Sequence, residues 1–509
     1  CITDVRASGD PIKGVDDRSD GVRPMCKVFE DIFTYVNQLG ARPGAGVVWI
    51  NALHLDAPDL IDCKKENIDE KIRLKNLNIG LMTPDILYVL AAENKDVCLF
   101  SPYDIEKQTG TKMSQTDFNE VYWDLANNPK IRKKRVNARV YLQEISKIQM
   151  ESGYPFIGFI DTINRANNIE GYISSSNLCS EILQVAESSV LTGDNQYEVV
   201  GRDISCNLGS MNAYKTLMSP DFGRTIEAGV RMCTAVSDMS KIMWVPSVLK
   251  GNELGHAIGV GVMNLHGTFA ELGMTYGSEE SLEFTDVFFM SMRYYALKAS
   301  NALAKEHGAF FDFAKSKYAT GEALKRYIYK DYRDKIHPSV MAIFDEAPGF
   351  VVPTAQDWAA LNQDIITYGL YNTYLMAIAP TGSISYINDS TPSIHPISAK
   401  LEKRHEGKAY AYYPAPHLTN ENQDLFEDAF DLGWKKIIDV YAAAQPHVDQ
   451  GMSLTLCFQE ETTTTRDIDR ARFYAWRKGV KTLYYIRARQ KSLASLKAPA
   501  PKECEACSV

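Results

Sequence analysis

Long apolar runs are missing from this chain of 509 residues. None approaches the ~20 residues that a membrane span needs, and no signal-peptide pattern opens the sequence. Neither an integral membrane protein nor a secreted one is expected. Cysteine is thin as well. The ten, at positions 1, 26, 63, 98, 179, 206, 233, 457, 504 and 507, are too few and too scattered for a disulfide scaffold. They fit a reducing cytoplasm in which a few thiols are kept for chemistry. Positive charge is in deficit: a net charge of −9 and a pI near 5.6 give no support for a surface that coats nucleic acid. The Gly-Lys-Ser/Thr signature of a P-loop is absent. The remainder is ordinary, with 45% hydrophobic and 23% charged residues in a chain longer than one typical domain.

Against that background residues 174–182 stand out, because Asn177, Cys179 and Glu181 occupy every second position. In an extended segment all three side chains project from one face. A half-buried strand with a small apolar cysteine is the plain reading of a lone thiol. A Glu and an Asn beside it would be costly to desolvate without purpose, and a carboxylate next to a thiol can relay protons. None of the nine histidines lies near Cys179 in sequence, so a cysteine hydrolase is the less attractive chemistry, although a partner brought near by folding stays open.

The rest of the chain reads as strand-like pieces alternating with long helices, which argues for an α/β architecture. Residues 1–24 read as a Gly/Pro-punctuated loop, and 28–39 as a helix with Phe29, Ile32, Phe33, Val36 and Leu39 on one side. A Gly-rich loop at 38–46 carries Arg42 and runs into a strand at 47–50. Alternation at Leu77, Ile79 and Leu81 suggests another strand. Residues 131–151 read as one basic amphipathic helix whose Lys/Arg cluster is a solvated face. Short strands are expected at 155–160 and 258–262, an extended piece at 203–210, and helices near 225–243 and 281–306. Ala379-Pro380-Thr381-Gly382-Ser383-Ile384-Ser385 could cradle phosphate oxygens or could be a capped turn. Residues 475–485 lead from a helix into a strand with adjacent tyrosines, which on their own read as packing residues. Residues 494–509 form a mobile Lys/Ala/Pro-rich tail carrying Cys504-Glu505-Ala506-Cys507. A dithiol there suits disulfide exchange better than zinc, because no second ligand pair is near.

Several motifs together resemble one family. Ser176-Asn177-Leu178-Cys179-Ser180-Glu181-Ile182, Ser205-Cys206-Asn207-Leu208-Gly209-Ser210, Pro380-Thr381-Gly382-Ser383-Ile384-Ser385, Lys481-Thr482-Leu483-Tyr484-Tyr485-Ile486-Arg487 and the Cys504-x-x-Cys507 tail occur in this order. From about residue 4 to the C-terminus the chain is similar to the large, catalytic alpha subunit of class I ribonucleotide reductase, most of all to the class Ib branch. The resemblance implies a ten-stranded α/β barrel over 1–490 with the radical cysteine on a central finger loop, followed by a redox-active tail over 491–509. It implies that Cys179 is the transient thiyl radical, that Glu181 takes the 3′-hydroxyl proton and that Asn177 holds the hydroxyls. Leu178 and Ser180 belong to the same substrate loop. Cys206 becomes half of the reducing pair, and Pro380, Thr381, Gly382, Ser383 and Ile384 bind the diphosphate. Tyr484 and Tyr485 relay the radical, and Cys504 and Cys507 re-reduce the active-site disulfide. Lys13, in the loop 13–21, and Gln38 and Arg42, in the loop 38–46, couple a dNTP effector to base choice.

Further expectations come with the resemblance. No metal or cofactor is expected in this chain; the di-metal tyrosyl radical belongs to a small beta subunit, and dNTP or ATP act as effectors. A ribonucleoside diphosphate substrate, a thioredoxin- or glutaredoxin-like reductant and a homodimer are the expected partners, with no nucleic acid or membrane. The family's partner for Cys206 lies upstream of Cys1, so the chain reads as the C-terminal portion of a reductase that needs an N-terminal half. An intein-interrupted or split gene is one account of Cys1 abutting mid-domain sequence. A catalytically incomplete nucleotide-binding fragment is the alternative. A glycyl-radical enzyme is disfavoured by the chain end, and a cobalamin-dependent reductase has no use for the paired tyrosines.

Overall fold

The computed structural model describes residues 1–36, 44–406 and 409–489. Its centre is built from short buried strands. Val47–Asn51, Asn78–Thr83 and Phe156–Phe159 are parallel neighbours, and Thr482–Leu483 closes that edge antiparallel to Phe156–Phe159. Every residue of Asn78–Thr83 and Phe156–Phe159 is buried, as expected where parallel strands are covered on both faces. A second ladder starts with Leu208–Asn212 parallel to Gly259–Met263. It continues through the parallel bridges Val260 to Met376 and Ile378 to Met452. Gly261 is required there, since a Cβ would meet the Ala377 carbonyl oxygen at 2.4 Å. Among the described residues the strands form these partial ladders and short pairs. The expected α/β architecture holds at this level.

The helices pack outside. Glu279–His307 is the longest, opened by the Ser278 side chain on the Ser281 N–H, with Glu279 and Glu280 in its first turn and Lys305 and His307 in its last. Phe222–Met239 lies against it, close to the expected span.

Three expectations need correction. The helix expected at 28–39 runs Val22–Tyr35; Val22, Cys26 and Glu30 form its buried line, whereas Ile32 and Val36 are exposed. The basic helix expected at 131–151 is a strand, Lys133–Asn137, paired antiparallel with Asp96–Phe100, followed by the helix Ala138–Ser152. Asn137 makes the break by accepting the Val140 N–H as N-cap. Its basic cluster is not only a solvated face, because Arg132 pairs with buried Asp10 at 2.8 Å. The third concerns residues 177–181, which form a turn.

Behind that turn lies a buried ionic anchor. Arg293, on the long helix, meets Asp449 at 2.8 Å, both side chains 5% exposed. Asp449 also accepts the N–H groups of Leu375 and Met376 at 2.9 and 2.8 Å. Lys481 Nζ donates to the carbonyls of Val448, Asp449 and Gln450 at 3.0, 2.7 and 2.9 Å. Burial pulls this lysine down to about 7, while Asp449 opposes the shift. Three accepting carbonyls are matched by the three donors of the ammonium form, which is the form the geometry describes. Residues 448–450 are thereby fixed in place. Arg293→Met leaves Asp449 buried without its cation, and a loss of about 3–5 kcal/mol in urea unfolding is expected. An unchanged unfolding midpoint would contradict that account.

Candidate active site

Residues 174–182 are not one extended segment. Ser180 adopts φ 66°, and its N–H reaches the Asn177 carbonyl at 3.3 Å, closing a tight turn. The Asn177 side chain braces it: Oδ1 accepts the Ile182 N–H at 3.0 Å and the Ser176 hydroxyl at 3.4 Å. Such local bonding is what Asn offers a turn. Both flanks are held by distant strands. Trp49 Nε1 donates to the Asn177 carbonyl at 3.2 Å from one ladder. From the other, the Gly451 N–H donates to the Glu181 carbonyl at 2.7 Å. A Cβ on Gly451 would stand 2.8 Å from the Ser180 carbonyl oxygen, so only glycine permits this approach.

The turn separates two environments. On the polar side Glu181, 1% exposed, faces Asn177 and Ser453. Burial pushes its carboxyl up to about 7, while the hydrogen bonds from its own backbone, Asn177 and Ser453 pull the other way. Cys206 joins the same group. The residue is exposed, yet protein atoms crowd its sulfur. That burial, together with the Glu181 charge, raises the thiol to about 12 against a hydrogen bond with Asn177. An acid lifted toward neutral pH, an un-ionised thiol and a carboxamide therefore share one wall.

On the apolar side Cys179, 6% exposed, packs with Trp49, Met82, Phe156, Leu183 and Tyr484. The Tyr484 hydroxyl points at its sulfur from 3.6 Å. The sulfur is disulfide-bonded in this structure, so thiol chemistry belongs to its reduced form. Tyr484 and Tyr485 have ring centroids 4.1 Å apart, and Phe156 packs on both. The Tyr485 hydroxyl lies 3.4 Å from that of Tyr154. The paired tyrosines therefore pack in the apolar cluster, as their sequence alone suggests, with the Tyr484 hydroxyl directed at the Cys179 sulfur.

The family model for the ribonucleotide reductase barrel domain matches residues 1–486. The chain belongs to the ribonucleotide reductase family. Among curated relatives it is 42% identical to the "ribonucleoside-diphosphate reductase subunit alpha" of Mycoplasma pneumoniae, over 99% of this chain and 71% of that protein. The subunit of the same name from Mycoplasma genitalium is 42% identical over 100% of this chain and 71% of its own length. The Bacillus subtilis subunit is 38% identical over 96% and 69%.

Other positions that the reductase resemblance singles out lie in varied settings. Leu178 is half-buried against the apolar side and Ser180 is fully buried. Thr381, at φ 54°, opens the short helix Gly382–Ile387 after Pro380, and its hydroxyl accepts the Ser393 N–H at 2.6 Å. Among the described residues Ser383 Oγ is buried there without a hydrogen-bond partner, whereas Ile384 is 45% exposed. Lys13 sits with Gly14 at the tip of a tight hairpin closed by Ile12 and Val15. Gln38, Arg42, Cys504 and Cys507 lie outside the described residues. Sequence reasoning missed Ser453 and Gly451. The glycine two residues before the serine was the available signal, since glycine in a strand-like run marks close backbone approach.

Proposed function

We propose that this chain carries the site at which a ribonucleoside diphosphate loses its 2′-hydroxyl, acting as the catalytic portion of a class I, most nearly class Ib, ribonucleoside-diphosphate reductase. The observation that carries the reading is the Tyr484 hydroxyl 3.6 Å from the Cys179 sulfur, on a turn whose other face presents Glu181 and Asn177. In reduced enzyme Cys179 becomes a thiyl radical through Tyr484 and Tyr485 and abstracts the 3′-hydrogen. Glu181, whose carboxyl burial lifts to about 7, accepts the 3′-hydroxyl proton in its ionised form. Asn177 orients the hydroxyls. Cys206, un-ionised, supplies a hydrogen as the 2′-hydroxyl leaves as water. A second thiol, which the family carries upstream of residue 1, completes the pair. Overall, one diphosphate and two thiols yield the deoxy product, one disulfide and one water. The 3′-hydrogen returns from Cys179.

The finer architecture belongs to the same proposal. The turn is the tip of a finger loop inside a ten-stranded barrel spanning 1–490, and 491–509 is a tail whose Cys504 and Cys507 reset the disulfide. The radical originates in a di-metal small subunit. A thioredoxin- or glutaredoxin-like protein is the final reductant, and a dimer with dNTP-responsive loops at Lys13 and at Gln38 and Arg42 sets base choice. Cytoplasmic location follows from the need for reduced thiols.

The test is formation of dCDP from CDP by this chain with its upstream portion and a small subunit, read by chromatography. Absence of product with a competent radical subunit would overturn the reading. The same binding site predicts that Ser383→Ala raises the Kd for CDP about tenfold, the worth of one hydrogen bond to a charged phosphate. Unchanged affinity in calorimetry would remove Ser383 from the cradle.

A further inference from the structure

Two acceptors converge on one hydroxyl at the back of the turn. Ser453 Oγ lies 2.7 Å from the Cys179 carbonyl oxygen and 3.2 Å from Glu181 Oε2. The residue is 4% exposed, so bulk water scarcely competes for either contact. Its backbone is held on both sides. The Ser453 N–H donates to the Ile378 carbonyl at 2.9 Å, and Thr482 Oγ1 donates to the Met452 carbonyl at 3.0 Å. Two residues earlier the Gly451 N–H holds the Glu181 carbonyl. Only the hydroxyl proton is left to turn.

A serine hydroxyl has one proton to donate. When Glu181 is ionised, its carboxylate is the stronger acceptor and draws that proton. When Glu181 is protonated, its own O–H can donate to Ser453 Oγ, and the Ser453 proton turns to the Cys179 carbonyl. The shorter distance to that carbonyl is the arrangement of the second state. We propose that Ser453 is a positioning residue whose hydroxyl switches acceptor each time Glu181 gains or loses a proton, coupling proton uptake by Glu181 to the hydrogen bond on the Cys179 peptide. The proposal rests on the reading of Glu181 as the base. A proton arriving from the substrate 3′-hydroxyl would then tighten the turn that carries the radical sulfur, and its departure would release it.

The groups around Glu181 leave this role to Ser453. Asn177, from the same turn, has its Oδ1 committed to the Ile182 N–H and offers only N–H to the carboxyl. Cys206, from the segment before Leu208–Asn212, carries no charge at neutral pH. Asp449 is paired with Arg293, and Lys481 is bound to carbonyls 448–450; both anchor the backbone that leads to Ser453.

The test follows the Glu181 carboxyl directly, by infrared titration of the reduced chain between pH 5 and 9, with Glu181→Gln identifying the band. The parent midpoint is expected near 7. Ser453→Ala removes a donor to the carboxylate, and its midpoint should rise by about one pH unit, a tenfold gain in proton affinity. Ser453→Thr keeps the hydroxyl and should stay with the parent. In CDP reduction the acidic limb of kcat should move up with Ser453→Ala by the same amount, with KM unchanged. A Ser453→Ala midpoint equal to the parent's overturns the proposal. So does a Ser453→Thr shift as large as that of Ala, which would make packing the cause. A shifted infrared midpoint in a chain that never reduces CDP leaves the coupling standing and removes the reductase reading instead.

Discussion

Cys179→Ser is expected to fold normally and to reduce CDP at less than about one thousandth of the parent rate, a loss of more than ~4 kcal/mol in transition-state stabilisation. The geometry gives the reason. The sulfur is enclosed with Trp49, Phe156 and Leu183 and has the Tyr484 hydroxyl 3.6 Å away, a contact that supports the proposed transfer of a hydrogen atom between phenol and thiol. A serine O–H bond is far stronger than a thiol S–H bond, so the tyrosine cannot draw a hydrogen atom from it. The replacement is nearly isosteric, and the turn is held through the backbone contacts of Asn177, Ser180 and Glu181, none of which needs the sulfur. With both proteins kept reduced, so that loss of the Cys179 disulfide does not enter the comparison, thermal unfolding within about 1 kcal/mol of the parent, combined with lost turnover, separates chemistry from folding. Retention of even one per cent of the parent rate would mean that another group abstracts the hydrogen.

The residue types at this site were legible in the sequence because they lie within five positions of one another, but the reason first given for their meeting was wrong. Alternation on a strand would have put Asn177, Cys179 and Glu181 on one face. The turn at Ser180 instead puts the sulfur in an apolar pocket and the carboxyl in a polar one, a division suited to keeping a radical dry beside an acid–base group. What sequence order concealed is non-local. Ser453 and Gly451 lie more than 260 residues from the turn they brace, and no period of 2 or 3.6 reports such a contact. The strands at 47–51, 156–159 and 259–263 were readable because burial on both faces leaves short apolar runs, and the one at 78–83 through the alternation of Leu77, Ile79 and Leu81. The basic stretch before residue 151 misled because Ala138, Tyr141, Leu142, Ile145 and Ile148 do follow a helical spacing, while the Asn137 cap that starts their helix is a single amide next to charges.

Glu181→Gln should separate stability from activity, moving them in opposite directions. An ordinary glutamate ionises near 4.5, whereas burial lifts Glu181 to about 7 in the folded chain. Between those values the folded protein holds a proton that the unfolded chain has released. Stability therefore falls as pH rises through this window, by about 3 kcal/mol in all, and stays lower above it. Below pH 4.5 both states are protonated and the cost vanishes. Glutamine is neutral throughout, so the variant is expected to match the parent near pH 4.5 and to exceed it at pH 8 by about 1–3 kcal/mol, the lower bound allowing for an imperfectly placed amide. Denaturant unfolding at both pH values reads this directly. Turnover should drop 100- to 10,000-fold with loss of the base. A variant less stable than the parent at pH 8 by the same margin as at pH 5 would show that the Glu181 carboxyl is not strained by its burial. A carboxylate kept where it weakens the fold, and held by Asn177, Ser453 and its own backbone, supports the proposed role of Glu181 as the base.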